Sequence, residues 1–235
     1  MVNPVFAEKN PIFLDFETNK AKLFYAAGFC LQDTQPKQVI LNENLFGLAK
    51  YKNLPILSPT ELAEHIFNLV TEKNGYIVGF GPHEKACLND LSKMLSFSSS
   101  WENIEYLNLH KSAKKWINRY HKDDFEKLPP VRKTAKGLIK KNPKWSLISV
   151  MRMANFPAPQ TYAPGHTTSR FNSVMSGLIA KQQDFEKLTS VQKAKATKVL
   201  EHNYFDVAAL PQLFRAIKKT NPRHLDAGLS QLFSD

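Results

Sequence analysis

Cysteine and long apolar runs are scarce in this sequence, and each shortage excludes a class of protein. The 235 residues include only two cysteines, Cys30 and Cys87, whose separation matches no metal-binding motif and which are too few for a disulfide-stabilised scaffold. No segment is long and apolar enough to span a bilayer. The first residues lack a basic segment followed by an apolar one, so we expect no secretory signal. Together these absences predict a cytoplasmic protein that does not act at a membrane.

Acidic residues are in the minority, and the imbalance is local. The net charge is +11, and residues 111–144 contain 12 Lys or Arg against 3 Asp or Glu. A basic stretch of this kind favours a polyanionic partner, most often nucleic acid, although a solvated, lysine-rich pair of surface helices gives the same pattern. We assign nucleic-acid binding to Lys140, Lys141, Lys144 and Trp145.

Aromatic residues accompany the basic stretch. Trp116, Tyr120 and Trp145 lie in or beside it. Aromatic side chains can stack on bases, but at helical spacing they serve equally well as core anchors. The sequence leaves both roles open.

The order of predicted elements indicates an α/β fold. Strands are predicted at 11–18, 22–32, 37–42, 75–81 and 104–109. Ser58 and Glu61, on either side of Pro59 and Thr60, predict a capped helix from Ser58. A helix beginning at Pro82 separates the last two strands, and the chain after residue 110 reads as all-helical. This order is similar to that of a ribonuclease-H-like fold, a mixed sheet of about five strands flanked by helices. We predict a single domain over residues 1–235, with a basic insertion at about 111–144.

Two carboxylates interrupt the first apolar strand. In "PIFLDFET", Asp15 and Glu17 share one face, because strand side chains alternate, and Ile12, Leu14 and Phe16 share the other. Adjacent carboxylates repel one another unless a positive group lies between them. Mg²⁺ and Mn²⁺ prefer such hard oxygen ligands. The pair therefore predicts a metal site, with a solvated edge strand as the alternative.

A helix after the fourth strand offers a third acid. Glu84 falls on the apolar face set by Cys87, Leu88 and Leu91, whereas Asp90 falls well off its centre. We predict Glu84 as a metal ligand and Asp90 as a surface residue. The alternative role for Glu84 is a helix-start acid that stabilises the positive end of the helix.

The last candidates lie near the end of the chain. Asp206 falls near the middle of an apolar helical face, and a buried carboxylate needs a partner. Pro211 predicts a break or kink nearby, in which case Asp206 would instead cap a helix. His202 lies one turn before Asp206 and could act as a general base, since histidine exchanges protons near neutral pH.

Three segments, "FLDFET", "VGFGPHEKACLNDL" and "HNYFDVAAL", resemble in this order the exonuclease motifs of the DEDD nuclease superfamily. The resemblance is nearest to the ribonuclease-H-like predicted exonucleases that occur beside or fused to RecB-like nucleases. "WSLISVMRMANF" is also similar to the helix before the third motif of that group. The resemblance covers roughly residues 11–110 and 145–215.

The resemblance implies a metal-dependent nuclease that hydrolyses phosphodiesters from a 3′ end, with a single-stranded DNA or RNA end as substrate. By position, Asp15, Glu17, Glu84 and Asp206 would hold two Mg²⁺ or Mn²⁺ ions. His202 would be the catalytic base.

The sequence departs from the superfamily pattern at three positions. Glu84 stands where most members have Asp, and Asn108 where the group often has Asp. His202 stands four residues before Asp206, where the group has Tyr. Members with a catalytic histidine have it five before the acid, and Glu201 is there. If His202 is not the base, hydroxide on the metal, Glu201 or His83 would be the next candidate.

Two other functions remain open on the sequence. The first is a catalytically inactive ribonuclease-H-like module that binds nucleic acid, and metal-dependent cleavage would distinguish it from a nuclease. The second is a basic adaptor for a protein or membrane surface, which is disfavoured because no amphipathic basic helix rich in Trp and Phe stands out.

Overall fold

A six-stranded mixed sheet forms the centre of the computed structural model, which describes residues 9–19, 21–94, 101–128, 145–159, 162 and 166–232. The strands are β1 (Asn10–Thr18), β2 (Phe24–Leu31), β3 (Lys37–Ile40), β4 (Gly75–Gly79), β5 (Glu105–Asn108) and β6 (Leu229–Gln231). Their order across the sheet is β3-β2-β1-β4-β5-β6. The first three strands form an antiparallel meander, β4 and β5 run parallel to β1, and β6 is antiparallel to β5. The predicted α/β architecture is thus confirmed.

Helices cover both faces of the sheet. They are α1 (Phe46–Lys52), α2 (Pro59–Glu72), α3 (Pro82–Ser92), α4 (Leu109–Tyr120), α5 (Lys122–Glu126), α6 (Leu147–Met153), α7 (Thr167–Ala180) and α8 (Ser190–Thr220), with 3₁₀ segments at Glu43–Leu45, Phe185–Lys187 and Pro222–Ala227. One face packs against α2 and α3, and the other against α4, α6 and the second half of α8. On the α8 side, the Phe13 and Phe214 rings meet edge to face at 5.8 Å.

Local sequence signals set the starts of two helices. Ser58 accepts a hydrogen bond from the Glu61 backbone, and Glu61 accepts one from the Ser58 backbone, so the predicted capping box is confirmed. Thr189 and Gln192 form the same arrangement at the start of α8. These caps satisfy backbone donors that have no partner within the helix.

Two expectations about the C-terminal half are wrong. The chain after β5 is not all-helical, because β6 adds a sixth strand where about five were predicted. The helix break considered at Pro211 does not occur, because α8 runs through it although proline removes one helical hydrogen bond, so Asp206 lies inside the helix and does not cap one. Leu210, Leu213 and Phe214 pack into the core around Pro211, and this packing holds the helix together across it.

The start of the basic stretch belongs to the core layers. Helix α4 buries Leu109, Ala113, Trp116 and Ile117 while its lysines face outward. Trp116 is therefore a core anchor. Lys140, Lys141 and Lys144 lie outside the described residues.

Two further sequence expectations concern cysteine and the membrane. Cys30 and Cys87 are both buried free thiols. Among the helices of the described ranges, none has the length and apolar character needed to cross a bilayer.

Candidate active site

Strand β1 separates its acids from its core residues as the alternation predicts. Ile12, Leu14 and Phe16 are buried with α2 and α3. Asp15 and Glu17 point to the opposite face, where they meet residues of α8. The strand thus contributes to the core on one side and to a polar cluster on the other.

The acids lie where the sheet opens. Pairing between β1 and β4 spans Asn10–Phe13 and Gly75–Val78, so Asp15 and Glu17 extend past the paired part of β4. Crevices for ligands in α/β sheets lie at the carboxyl ends of the parallel strands. This position leaves room for a ligand at the two carboxylates.

Gly28 brings α8 close to the sheet at this point. It is the cross-strand neighbour of Asp15, and a Cβ there would lie 2.6 Å from both Asn203 Oδ1 and Val207 Cγ2. Any larger residue would push α8 away from β1 and β2. The absence of a side chain at Gly28 therefore positions the helix that carries His202 and Asp206.

Three side chains form the tightest group. His202 Nε2 lies 3.3 Å from Asp206 Oδ2 and 3.8 Å from Glu17 Oε1. One ligand atom from each of Glu17, His202 and Asp206 lies within 4.8 Å of the others, a spacing that can hold a metal ion. The structure thus brings together β1 and α8 residues that lie far apart in the sequence.

Asp15 is held by a relay of amides. Asn203 Nδ2 donates to Asp15 Oδ2 at 2.8 Å, and Gln38 Nε2 donates to Asn203 Oδ1 at 2.9 Å. Asn203 is fully buried. It had no predicted role, although it stands in the "HNYFD" segment beside His202.

Glu84 lies in the first turn of α3 and makes local contacts. Its Oε2 accepts a hydrogen bond from the Gly81 backbone at 2.9 Å, and only 5% of the residue is exposed. Burial raises the pKa of Glu84, and the hydrogen bond from the Gly81 backbone opposes that shift. Glu84 nevertheless faces Asp15 closely enough to raise the pKa of Asp15. It therefore combines the helix-start role with proximity to the acid cluster.

All four carboxyl groups have raised pKa values. Burial is the main cause for each. The pKa of Asp15 is raised to about 7 by burial and then by repulsion from Glu84, while the Asn203 hydrogen bond opposes the shift. The pKa values of Glu17 and Asp206 are raised well above the usual range by burial and then by repulsion from Asp15. Holding these groups ionised together requires added positive charge.

Tyr162 is a site residue that the sequence did not indicate. It precedes α7, and its hydroxyl donates to Asp206 Oδ1 at 2.8 Å. Its ring stacks on the His202 ring at a centroid distance of 4.7 Å and an angle of 24°. No local pattern marks a residue that lies 44 positions before its partner and outside any helix or strand.

A cleft of about 560 Å³ contains the cluster, with a lining that includes Asp15, Glu17, His83, Asp90, His202 and Asp206. Asp90 forms an ion pair with Lys22 at 2.8 Å. His83 Nε2 lies 3.3 Å from Thr18 Oγ1 at the same cleft. Glu201 is exposed and lines a different groove, on the other side of α8, so the geometry favours His202 and His83 over Glu201 as the base.

Trp145, which directly follows the basic stretch, packs against the side chains of His110, Lys114 and Phe125. Its ring lies 4.5 Å from that of Phe125 and 6.4 Å from that of His110, and Lys114 Nζ is 5.7 Å from its centre. Helix α4 follows β5 directly, so its first turn lies at the same carboxyl edge as the acid cluster. Lys111, Lys114 and Lys115 are exposed on this helix and belong to the described part of the basic surface.

The chain was also compared with known proteins. Protein-family models, curated proteins and solved structures gave no match to it. Its function is therefore inferred from the arrangement of these side chains.

Proposed function

We propose that the protein is a divalent-metal-dependent nuclease with a ribonuclease-H-like fold, acting as a 3′–5′ exonuclease on nucleic acid. The observation that carries the proposal is the convergence of Asp15, Glu17, His202 and Asp206 at one cleft, with Glu84 near enough to Asp15 to raise its pKa. The sheet order, with an antiparallel meander beside two parallel strands, supports the fold assignment.

The side chains present fit a site for Mg²⁺ or Mn²⁺. The donors are hard carboxylate oxygens, which these ions prefer. Burial and mutual repulsion raise the pKa values of these carboxyl groups, so a divalent cation would relieve an unfavourable crowding of charge. Asp15, Glu17 and Asp206 would hold the ions, with Glu84 beside Asp15. Two bound ions would lower the pKa of a water molecule and stabilise negative charge on the phosphate oxygens.

The protein's own residues have separate tasks in the hydrolysis. His202 Nε2 would accept the proton of the attacking water, and Glu17 and Asp206 beside it would stabilise the imidazolium that forms. Asn203 fixes the orientation of Asp15 through its hydrogen bond. The lysines of α4 would bind the phosphates of the strand as it approaches the cleft.

One observation favours a second candidate, a ribonuclease-H-like nucleic-acid-binding module without activity. Three acids already have protein partners, since Glu84 caps α3, Asp15 accepts from Asn203 and Asp206 accepts from Tyr162. In such a module these acids would serve the fold alone. Metal-dependent cleavage distinguishes the two candidates.

The test uses 5′-end-labelled and 3′-end-labelled DNA and RNA, single- and double-stranded, incubated with the full chain and Mn²⁺ or EDTA. A ladder shortening from the 3′ end of the 5′-labelled strand, seen with Mn²⁺ and lost with EDTA, is the expected result. Binding without cleavage in Mn²⁺ and in Mg²⁺ would instead establish the inactive module. The cytoplasm is the proposed compartment, since the two buried free thiols suit a reducing setting.

A further inference from the structure

Tyr162 contacts two members of the acid cluster at once. Its hydroxyl donates to Asp206 Oδ1 at 2.8 Å while its ring stacks on the imidazole of His202. The other Asp206 oxygen, Oδ2, is the atom that lies 3.3 Å from His202 Nε2. Each carboxylate oxygen of Asp206 thus has its own neighbour, and Tyr162 contacts both residues of that pair.

Aromatic packing fixes Tyr162 in this place. The Phe205 ring, which is buried on α8, lies 4.7 Å from the Tyr162 ring and 5.8 Å from the Phe156 ring. The Tyr162 backbone N–H donates to the Pro159 carbonyl at 2.9 Å. None of these contacts involves a residue of the acid cluster. The Tyr162 ring is therefore held in place independently of the hydrogen bond from its hydroxyl to Asp206.

The direction of the hydrogen bond is also fixed. A phenolic hydroxyl has one proton to donate and an ionised carboxylate can only accept, so Tyr162 is the donor to Asp206 when Asp206 is ionised to hold a cation. A carboxylate that accepts a hydrogen bond at one oxygen can still offer its other oxygen to a cation. Partners that hold metal ligands in this way commonly contribute tenfold to a hundredfold to metal affinity or activity.

We propose that Tyr162 is a positioning residue of the metal site, whose hydroxyl orients Asp206 for the cation and whose ring holds the plane of the His202 imidazole. This inference rests on the proposed metal-dependent function. It assigns to Tyr162 a direct part in assembling a site otherwise built from β1, α3 and α8.

The two contributions of Tyr162 can be separated by substitution. Tyr162→Phe removes the hydroxyl and keeps the ring, so we expect Mn²⁺ affinity to fall about tenfold with turnover at saturating Mn²⁺ nearly unchanged. Tyr162→Leu also removes the stacking on His202, so turnover should fall even at saturating Mn²⁺. A residue that served stability alone would not separate the two readouts in this way.

The experiment measures Mn²⁺ binding to the full chain by calorimetry, and then cleavage at saturating Mn²⁺. Tyr204→Phe is the matched control. The Tyr204 hydroxyl also donates to a side chain, Gln35 Oε1 at 2.8 Å, but Tyr204 faces away from the acid cluster. Thermal unfolding in EDTA checks that each variant is folded. Tyr162→Phe deletes a single atom and therefore tests the proposal even if Tyr162→Leu does not fold.

The outcomes separate this inference from the proposed function. If wild-type protein binds no Mn²⁺, both are overturned. If wild type binds Mn²⁺ and Tyr162→Phe binds it equally well, only the role of Tyr162 is overturned. Tighter binding by Tyr162→Phe would also overturn it, since the hydroxyl would then compete with the cation for Asp206.

Discussion

Two clefts of similar size lie on opposite sides of α8, and they differ in what the helix presents to them. The acid cleft measures about 560 Å³ and receives His202 and Asp206. The apolar groove measures about 550 Å³ and receives Leu200, Tyr204 and Ala208. Cleft size alone therefore says nothing about chemistry here. The difference follows from helical periodicity, which places residues four apart on the same side.

The position of each cleft relative to the sheet adds to the contrast. The acid cleft opens at the end of the paired part of β4, where β1 continues past β4 with Asp15 and Glu17 and remains paired with β2. The apolar groove borders Gln38 of the edge strand β3 and Leu54 after α1. Only the first brings carboxylates from separate elements together, so His202 and Asp206 should matter for activity more than Glu201 and Tyr204, which face the groove.

The largest effect is expected from the carboxylates themselves. Asp15→Asn or Asp206→Asn should reduce cleavage to background and leave nucleic-acid binding largely intact, because each removes a charge that would hold the metal. Gel assays of cleavage and fluorescence anisotropy of binding measure the two properties. Glu201→Gln is the matched control, because it also replaces a carboxylate of α8 by an amide but lies at the apolar groove. This variant should cleave as wild type does. Wild-type rates in both aspartate variants would refute the assignment of the acid cleft.

The next effect concerns the base. His202→Ala should slow turnover by about 10²–10⁴, the usual contribution of a general base, while Mn²⁺ binding by calorimetry is retained. His202→Tyr should keep more activity, since the resembled group has Tyr there and a phenol can orient the same water. Glu201→Ala serves as the neighbouring control. Loss of Mn²⁺ affinity in His202→Ala would instead identify His202 as a metal ligand, a role its distance to Glu17 and Asp206 also permits.

A smaller effect is expected on stability as the pH changes. The folded-state pKa of Asp15 is raised from 3.8 to about 7, so the folded protein holds a proton that the unfolded chain has released. Without metal, the free energy of unfolding should therefore fall as pH rises from about 4 to 7. One pKa unit corresponds to about 1.4 kcal/mol, so the loss should be of the order of a few kcal/mol.

Chemical denaturation in EDTA, repeated across this pH range, measures the fall. Asp15→Asn should make the fall smaller because the amide does not titrate, while Glu17, Glu84 and Asp206, whose pKa values are also raised, still contribute. Mn²⁺ should stabilise wild type more at pH 8 than at pH 5, since the cation binds the ionised carboxylates. Equal stabilisation at both pH values would argue against the carboxylates as the metal site.

The smallest effect concerns the surface charge outside both clefts. Changing Lys111, Lys114 and Lys115 to Gln should weaken binding of all sequences about equally, and each lost phosphate contact should reduce the log–log salt slope by roughly 0.7–0.9. We predict the same for Lys140, Lys141 and Lys144. Titrations at several salt concentrations measure the slope. Gln substitutions at Lys187 and Lys193, which pair with Asp184 and Glu186, are the control, and an unchanged slope in the α4 variant would show that this surface is only solvated.

Local patterns in the sequence determined much of this protein. Strand alternation separated Asp15 and Glu17 from Leu14 and Phe16, because that rule depends only on the backbone geometry of one strand. The Ser58–Glu61 capping box was also readable, since its partners are three residues apart. His202 and Asp206 fall on one side of α8 for the same local reason.

Tertiary structure alone decided which other groups complete the site. The amide relay from Gln38 through Asn203 to Asp15 joins three separate elements, and Tyr162, which is itself in no helix or strand, reaches Asp206 across 44 positions of sequence. Strand β6 has three residues and owes its existence to pairing with β5. Such contacts depend on how distant segments pack in three dimensions, and local periodicity contains no information about them. The sequence thus determined which β1 and α8 side chains face the cleft, whereas packing determined what holds them there.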